Sequence, residues 1–323
     1  MTTTRRYIKE LAEQDVIDQV FLVADKQLRV NRQGGKYILL RLADRTGNLV
    51  GMHWNADDRI FDSFQRGDYL HCKGRTQIHN GNLQIIVSHF DQVPVEQVDI
   101  GEFDSFDSEA AESLFCRLQV LFESLTEPRL VRLAQSFLAD GPWLERLKLA
   151  PAAVTNHHAF PGGLLQHTID LMELVQLVAP RYQKIDRQIL LLGAFLHDLG
   201  KIDELTSGGE LAYTDPGQLV GHIVIGVQLL NRHIDAIVRD GCEFEDSLRW
   251  QLEHLIISHH GLLEFGSPKL PMTLEAIALH HLDNLDAKLA SAAALIDADV
   301  SGDRDWTNFN PAMGRKMWKG NRA

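Results

Sequence analysis

The chain is poor in cysteine and has no long hydrophobic run. Its 323 residues include only Cys72, Cys116 and Cys242, which lie far apart. They exclude a disulfide framework and a cysteine-based zinc site and favour a reducing compartment. No apolar run is long enough to cross a bilayer. Met1–Glu10 holds two arginines without an apolar core, so we expect no secretory signal. We therefore expect a cytoplasmic protein without a membrane partner.

The chain also lacks an excess of positive charge. Its formal net charge of −12 argues against a surface coated in basic patches for nucleic acid. Residues 1–95 carry 13 Lys+Arg and 11 Asp+Glu, net +2, whereas the remainder carries 19 and 33, net −14. The first part is therefore the better candidate to meet a polyanion. The acidic remainder fits either a solvated surface or a site whose bound cations neutralise its carboxylates.

Short apolar segments separated by turn residues predict strands in the first hundred residues. Five strands with a small helix between the third and fourth follow the order of an OB-fold β-barrel. We therefore predict an OB-fold nucleic-acid-binding domain over residues 1–98, with a barrel that only supports the fold or an oligomer as the alternative. An Asn80-Gly81 pair predicts a hairpin turn between the last two strands. The strand signals cover residues 19–24, 36–43, 49–54, 68–75 and 83–90, and the helix signal covers 59–64.

Aromatic and basic side chains in these strands are candidates for binding a nucleic-acid strand. Tyr37 and Trp54 would stack on bases, and Lys73 would contact phosphate. The sequence does not tell which face of the strand each aromatic occupies, so each could instead belong to the core.

From about residue 109 the apolar spacing becomes helical and stays so. The acidic, turn-rich stretch 99–108 before it is typical of a linker. We predict a linker and helical segment over 99–150, an all-α domain over 151–300, and an extended C-terminal tail over 301–323. The helical signals cover residues 109–124, 129–138, 163–178, 187–199, 220–238, 247–258 and 274–295.

Histidines and aspartates recur through the helical part in a pattern suited to metal binding. Eleven of the 15 histidines lie between His157 and His281. His197 and Asp198 stand together at the end of an apolar run, where burying such a pair is costly unless something satisfies it. A lone buried histidine is more often a hydrogen-bonded core residue. The whole set, however, suits divalent transition metals and predicts a metal-dependent phosphohydrolase. Its members are His167, His197, Asp198, His222, His259, His260 and Asp283.

The predicted helix ends constrain how these residues can meet. Adjacent helix residues point about 100 degrees apart, so His197 and Asp198 share one ion only at a helix end. Otherwise Asp198 bridges two ions. His222 begins one predicted helix, and His259-His260 end another before Gly261, the expected C-cap.

Five segments carry a more specific pattern. They are residues 156–167 (NHHAFPGGLLQH), 197–201 (HDLGK), 213–223 (YTDPG leading to GHI), 258–269 (SHHG with EFGSPK) and 282–288 (LDNLDAK). The runs EFGSPK and LDNLDAK are the most distinctive. Together the segments resemble HD-domain metal-dependent phosphohydrolases, and more closely the YhaM-type 3′-5′ exoribonucleases, which place an OB domain before the HD domain. The resemblance covers about residues 14–320.

The resemblance implies two divalent ions in a His/Asp shell. His167, His197, Asp198 and Asp283 would hold one ion. Asp198 would bridge to a second ion, held by His222 and by His259 or His260, a choice that the spacing leaves open. The resemblance points to Mn²⁺, and Fe, Co²⁺, Zn²⁺ or Mg²⁺ are alternatives for such a shell.

The resemblance also implies catalytic and substrate-binding residues. Asp198 and Lys201 would be catalytic, with Lys201 binding phosphate or assisting the leaving group. A solvated lysine that favours the helix dipole is the alternative for Lys201. His158 and Lys269 would contact phosphate.

The sequence therefore predicts a multidomain protein in which a five-stranded OB-fold β-barrel precedes an all-α HD phosphohydrolase domain. The predicted activity is 3′-5′ exonucleolytic hydrolysis of single-stranded RNA, with DNA as a further substrate. One alternative is a phosphohydrolase or phosphodiesterase acting on free or cyclic nucleotides. Another is a non-catalytic nucleic-acid-binding protein with a structural metal. A homo-oligomer is left open.

Overall fold

The computed structural model describes residues 5–31, 34–79, 81–103, 108–154, 160–206, 212–297, 299 and 305–320. Contacts divide the chain into one unit with residues from 1–105 and 292–323 and a second unit with residues from 106–291. The first unit holds a β-barrel and the second is helical. Within the described part, no helix is both long and apolar enough to span a membrane.

Five strands of the first unit close into a barrel in the order β1-β2-β3-β5-β4. The neighbours are antiparallel except β3 and β5, which are parallel. This arrangement confirms the predicted five-stranded OB-fold, including the short helix between the third and fourth strands. The elements are β1 (Val16–Val30), β2 (Lys36–Asp44), β3 (Gly47–Trp54), α1 (Asp58–Asp62), β4 (Tyr69–His79) and β5 (Asn82–Val93).

The alternation of apolar residues explains why these strands form a barrel with one filled interior. Ile38, Leu40 and Leu42 on β2 point inward and are buried, together with Phe21 on β1. Because side chains alternate along a strand, the residues between them point outward. The β4–β5 register shifts between Lys73 and Gly74, which leaves Ser88 of β5 without a partner in the register, and a side chain at Gly74 would overlap the carbonyl oxygen of Ile86.

The second unit is a bundle of helices around one apolar core. Every helix that the sequence predicts is present, but the prediction missed three short ones, α4, α7 and α8. Asp140 caps α4 by accepting a hydrogen bond from the backbone of Trp143, and Pro142 lies in its first turn. The helices are α2 (Ser108–Glu123), α3 (Pro128–Leu138), α4 (Gly141–Leu149), α5 (Gly163–Val178), α6 (Arg187–Leu196), α7 (Lys201–Glu204), α8 (Asp215–Leu219), α9 (His222–Arg239), α10 (Asp246–Ser258) and α11 (Leu274–Asp297).

The C-terminal segment forms a short hairpin within the first unit, whereas the sequence predicts only an extended tail there. Trp306 pairs with Trp318, and Asn310 pairs with Arg315, both in antiparallel bridges. A turn at residues 311–314 connects the two sides, and Gly314 adopts a positive φ there.

A glycine contact brings the end of α6 against the start of α9. A side chain at Gly200 would overlap the carbonyl oxygen of His222 and approach the nitrogen of Gly226 within 2.7 Å. Gly200 therefore permits a backbone approach that no other residue allows. This approach places His197 and Asp198, which precede Gly200, beside the first turn of α9.

We expect Gly200→Ala to destabilise the protein by about 1–3 kcal/mol, because the added methyl group must push backbone aside. The same push would separate Asp198 from His222, so the metal binding predicted from the sequence for these two residues should weaken as well. Urea unfolding and metal titration measure the two effects.

Gly141→Ala is the matched control for this glycine prediction. Nothing lies within 4 Å of a Cβ placed at Gly141, the first residue of α4. That variant should keep wild-type stability or gain slightly. Equal stabilities for both variants would contradict the assignment of a packing role to Gly200.

Candidate metal centre and strand-binding face

Three predicted ligands from separate parts of the helical unit form one cluster. His167 lies on α5, His197 follows α6, and Asp283 lies on α11. One side-chain atom of each lies within 4.8 Å of the others. His167 Nε2 is 3.3 Å from both His197 Nε2 and Asp283 Oδ1. Both imidazoles are buried, so the cluster is screened from solvent.

A second cluster consists of His222, His259 and His260, whose ligand atoms also lie within 4.8 Å of one another. His222 is the first residue of α9, and the histidine pair directly follows α10. The structure thus brings both members of the pair to the cluster, and His259 is the more deeply buried.

Asp198 lies between the two clusters and faces each with a different oxygen. Its Oδ2 is 3.4 Å from His197 Nε2 and 3.9 Å from His167 Nε2. Its Oδ1 is 3.6 Å from His222 Nε2 and 3.5 Å from His259 Nε2. A carboxylate in this position can bridge two cations, one in each cluster.

Each histidine of the two clusters is held through its Nδ1 atom. Backbone carbonyls can only accept a hydrogen bond, so Nδ1 must donate where it meets one, and Nε2 keeps the lone pair that can bind a cation. The partner contacts are His167 with Asp286 (2.9 Å), His222 with Glu204 (3.0 Å), His197 with the Ala194 carbonyl (2.8 Å), His259 with the Ile256 carbonyl (2.7 Å) and His260 with the Phe265 carbonyl (2.9 Å).

Two of these contacts repeat one local geometry at helix ends. His197 and His259 each follow the last residue of a helix, and each bonds the carbonyl three residues earlier. The last carbonyls of a helix have no intrahelical partner and carry negative potential. The carbonyls at the ends of α6 and α10 therefore orient these two imidazoles. Their negative potential also favours a cation close to each imidazole.

The orienting residues Glu204 and Asp286 were missed as functional residues from the sequence. The sequence could have identified Asp286, because this residue lies one helical turn beyond Asp283 on the same face of the helix. It could not have identified Glu204, since this residue meets His222, which is 18 residues further along the chain, only through tertiary packing. The distinctive run EFGSPK supplies the Phe265 carbonyl that holds His260.

Charge in the clusters is arranged to keep the carboxylates ionised. Burial would raise the pKa of Asp198, yet Lys201 and His197 hold it well below its usual range. Burial would likewise raise the pKa of Asp283, and its hydrogen bond with His167 lowers it. Burial would lower the pKa of His167, but hydrogen bonds to Asp283 and Asp286 outweigh it and raise this pKa to about 9. The protonated His167 thus balances carboxylate charge that a divalent cation could balance instead.

The polar atoms of the second cluster fit a bound cation. Asp198 Oδ1 and His222 Nε2 are buried without a hydrogen-bond partner among the described residues. Buried polar atoms of this kind are costly unless something satisfies them. Burial also lowers the pKa of His259 to about 4, which keeps this imidazole neutral and able to bind a metal. The donor set of imidazole nitrogens and carboxylate oxygens suits divalent transition metals.

Lys201 contacts the bridging carboxylate directly. Its Nζ lies 2.6 Å from Asp198 Oδ2. Burial would lower the pKa of Lys201, but Asp198 raises it above the ordinary value. The ammonium group is therefore charged beside the cluster, although its side chain remains partly exposed.

The two other predicted phosphate contacts are not joined to the clusters. Lys269 is exposed in the loop after α10, and within the described residues no hydrogen bond or ion pair links its ammonium group to either cluster. His158 lies outside the described residues.

On the barrel, Tyr37 and Trp54 form a cross-strand aromatic pair on the outer face. Their ring centroids are 5.0 Å apart, and they face each other in the β2–β3 register. Arg29 on β1 is the next residue in the same row, opposite Tyr37. Lys73 lies elsewhere, on β4 between β1 and β5, with its Nζ 3.8 Å from Asp18. The structure therefore brings the two aromatics together but not Lys73.

Two family models match this chain in the expected order. An OB-fold nucleic acid binding domain matches residues 22–93, and an HD domain matches residues 164–288. Both the predicted barrel and the predicted HD domain are thereby confirmed. Among solved structures, the second OB-fold domain of replication protein A from Methanococcus maripaludis is matched over 27% of this chain and 93% of its own. That match has 22% identity and a TM-score of 0.23, a likeness too weak to support an argument.

Similar proteins extend the match across both units. 3′-5′ exoribonuclease YhaM of Bacillus subtilis is 34% identical over 290 residues, covering 87% of each chain. The proteins of the same name from Bacillus velezensis and Bacillus pumilus are 32% and 30% identical, again over 87% of this chain and 87% and 88% of theirs. With two domains in the same order and identity at this level, the chain belongs to the 3′-5′ exoribonuclease YhaM family.

Proposed function

We propose that this protein is a metal-dependent 3′-5′ exonuclease that acts on single-stranded RNA. The observation that carries the proposal is Asp198, whose two oxygens face two separate histidine clusters in an HD domain that follows an OB-fold barrel. The relatives named 3′-5′ exoribonuclease support the direction and the RNA substrate.

His167, His197, Asp198 and Asp283 would hold one divalent cation, and Asp198, His222, His259 and His260 would hold a second. Mixed imidazole and carboxylate shells suit several divalent transition metals, and among these we propose Mn²⁺ because the resemblance to the exoribonuclease family points to it. When bound, such ions activate a water and neutralise the charge of the phosphoryl group.

The protein's own residues prepare this site for phosphodiester hydrolysis. Asp198 stays ionised because Lys201 and His197 face it, so it can serve both clusters without taking up a proton. Lys201 keeps its positive charge and is partly exposed beside the cluster. This partly exposed charge supports a role for Lys201 in attracting a phosphate oxygen of the incoming strand.

The barrel would hold the strand through its outer face. Tyr37 and Trp54 offer adjacent aromatic rings, and Arg29 adds a cation in the same row. Stacked bases and a nearby cation are the general means by which such proteins bind single strands without sequence preference. The bases of a DNA strand can stack in the same way. Comparing the rates at which single-stranded RNA and DNA are shortened would measure the preference.

Asp198→Asn should remove activity, because a neutral amide cannot bridge two cations. We expect the rate of shortening of a 5′-labelled single-stranded RNA with Mn²⁺ to fall at least about 100-fold, more than loss of an orienting partner costs. Bound manganese should fall below two ions per chain.

The matched control is Asp240→Asn, an exposed aspartate at the end of α9. It should degrade RNA from the 3′ end at the wild-type rate and release nucleoside monophosphates. If Asp198→Asn degraded the strand as fast as this control, the proposed function would be wrong.

Glu204→Ala should weaken the second cluster alone, because Glu204 accepts hydrogen bonds from the Nδ1 and backbone nitrogen of His222. We expect Mn²⁺ affinity at one of two sites to drop about 10- to 100-fold, while the other site is little changed. Calorimetric titration separates the two sites. Glu204→Gln keeps an accepting oxygen and should recover part of the loss. An equal drop at both sites would contradict the assignment of His222 to one cluster.

Trp54→Ala should weaken strand binding without changing metal binding. Loss of one stacked base corresponds to a rise in Kd of roughly 5-fold or more. Fluorescence anisotropy with a labelled RNA measures this rise. The Trp54 change is made in the Asp198→Asn protein, so that the RNA is not degraded during the titration. An unchanged Kd would remove the aromatic pair from the proposed strand-binding face.

A further inference from the structure

The C-terminal hairpin, residues 305–320, presents three large aromatic side chains to solvent. Trp306 is 46% exposed, Phe309 59% and Trp318 61%. Trp306 and Trp318 are bridged across the hairpin, so they lie directly opposite each other and on the same face. Exposed aromatics grouped in this way are typical of a binding surface.

The hairpin has its own internal support, so burial of the tryptophans is not what orders it. Thr307 is buried, its backbone nitrogen donates to the Met317 carbonyl (2.9 Å), and its hydroxyl accepts from the Met317 nitrogen (2.9 Å). The backbone nitrogen of Lys319 donates to the Asp305 carbonyl (2.7 Å), and its Nζ forms an ion pair with the Asp299 carboxylate (2.8 Å). The aromatics are therefore displayed on a fixed frame.

The charge of the hairpin points to a polyanionic partner. Residues 305–320 contain Arg315, Lys316 and Lys319 against Asp305 alone, a net charge of +2. They lie in the part of the chain that otherwise carries the negative excess. Arg315 and Lys316 are exposed in the same hairpin, three and two residues before Trp318. Aromatic rings with interleaved cations match a single nucleic-acid strand, whose bases stack and whose phosphates are negative.

The hairpin also lies beside one loop of the barrel's strand-binding side. A side chain at Gly81, in the turn between β4 and β5, would overlap the Asn308 side chain of the hairpin. In OB-folds, the β4–β5 loop borders the oligonucleotide-binding face formed by strands 2 and 3. The hairpin is thus continuous with that face.

The register of the sheet separates the hairpin from the Tyr37–Trp54 pair along this face. Val50 pairs with Gln84 in the parallel β3–β5 register, which puts the β4–β5 turn near Asn48 at the start of β3. Trp54 is at the other end of β3, about 20 Å away at roughly 3.3 Å per residue. One strand several nucleotides long could span both ends.

We propose that the C-terminal hairpin is a second stacking platform for the RNA strand, extending the OB face beyond the β4–β5 turn. Trp306, Trp318 and Phe309 would stack on bases, and Arg315 and Lys316 would contact phosphates. The proposal rests on the proposed function, because it presumes that RNA is the bound strand. It assigns to this segment a role in holding long substrates, separate from the metal centre.

The test measures the Kd of the full-length Asp198→Asn protein for a labelled RNA of about 20 nucleotides and for one of about 4, at fixed salt. Trp306→Ala and Trp318→Ala should each raise the Kd for the long strand at least about 5-fold and leave the short strand nearly unchanged. Trp318→Phe should retain most of the affinity, because it keeps an aromatic ring. Trp250→Ala is the matched control, since Trp250 is 64% exposed on α10 of the other unit.

Lys316→Gln provides a second measurement that does not depend on the tryptophans. It should lower the slope of log Kd against log salt by about 0.7, the value for one phosphate contact on a single strand. Unchanged long-strand affinity in both tryptophan-to-alanine variants would overturn the proposal. The same holds if these variants dissociate an oligomer, measured by light scattering, while RNA affinity stays at wild type, because the hairpin would then join copies of this chain.

The outcomes separate this inference from the proposed function. A protein that binds long RNA through the hairpin but never shortens it would contradict the exonuclease and keep the platform. A protein that shortens RNA equally well with and without Trp306 and Trp318, at limiting substrate, would keep the exonuclease and contradict the platform.

Discussion

The helical unit depends on the burial of one charged carboxylate, Asp198, between two groups of imidazoles. An ionised carboxylate is stable in a protein interior only when cationic or hydrogen-bonding partners surround it. Lys201 supplies one such partner, and the histidines could hold metal cations that supply others. The close contact at Gly200, the helix ends at His197 and His259, and the orienting Glu204 all serve to hold these partners at the correct distance from Asp198.

The same requirement explains why five of the seven candidate ligands, all but His167 and Asp283, lie at helix ends. At the ends of α6 and α10, free carbonyls accept from Nδ1 and leave Nε2 directed toward Asp198. Where no free carbonyl is near, a carboxylate takes its place, Asp286 for His167 and Glu204 for His222. The site is therefore defined as much by the atoms behind the histidines as by the histidines themselves.

Much of this arrangement was predictable because the local patterns are strong. The strand signal over residues 36–43 and an Asn-Gly turn predict strands and a hairpin, and both are present. The seven candidate ligands were predicted from spacing and resemblance, and the structure brings all seven side chains together. Lys73 was predicted as a strand contact together with Tyr37 and Trp54, but it lies on β4 away from the aromatic pair, since residue type alone does not tell the position of a strand around a barrel. The short helix α4 was missed because its apolar pattern spans few turns.

The sequence by itself determined the barrel, the helical domain, their order and the residue types able to hold metal ions, because hydrophobic periodicity and donor chemistry are local properties. Only the tertiary structure decided that each oxygen of Asp198 faces a different cluster, that Glu204 and Asp286 orient the imidazoles, and that the tail folds into a hairpin beside the β4–β5 turn. These depend on which helix ends and strands become neighbours, and that is set by packing between segments distant along the chain.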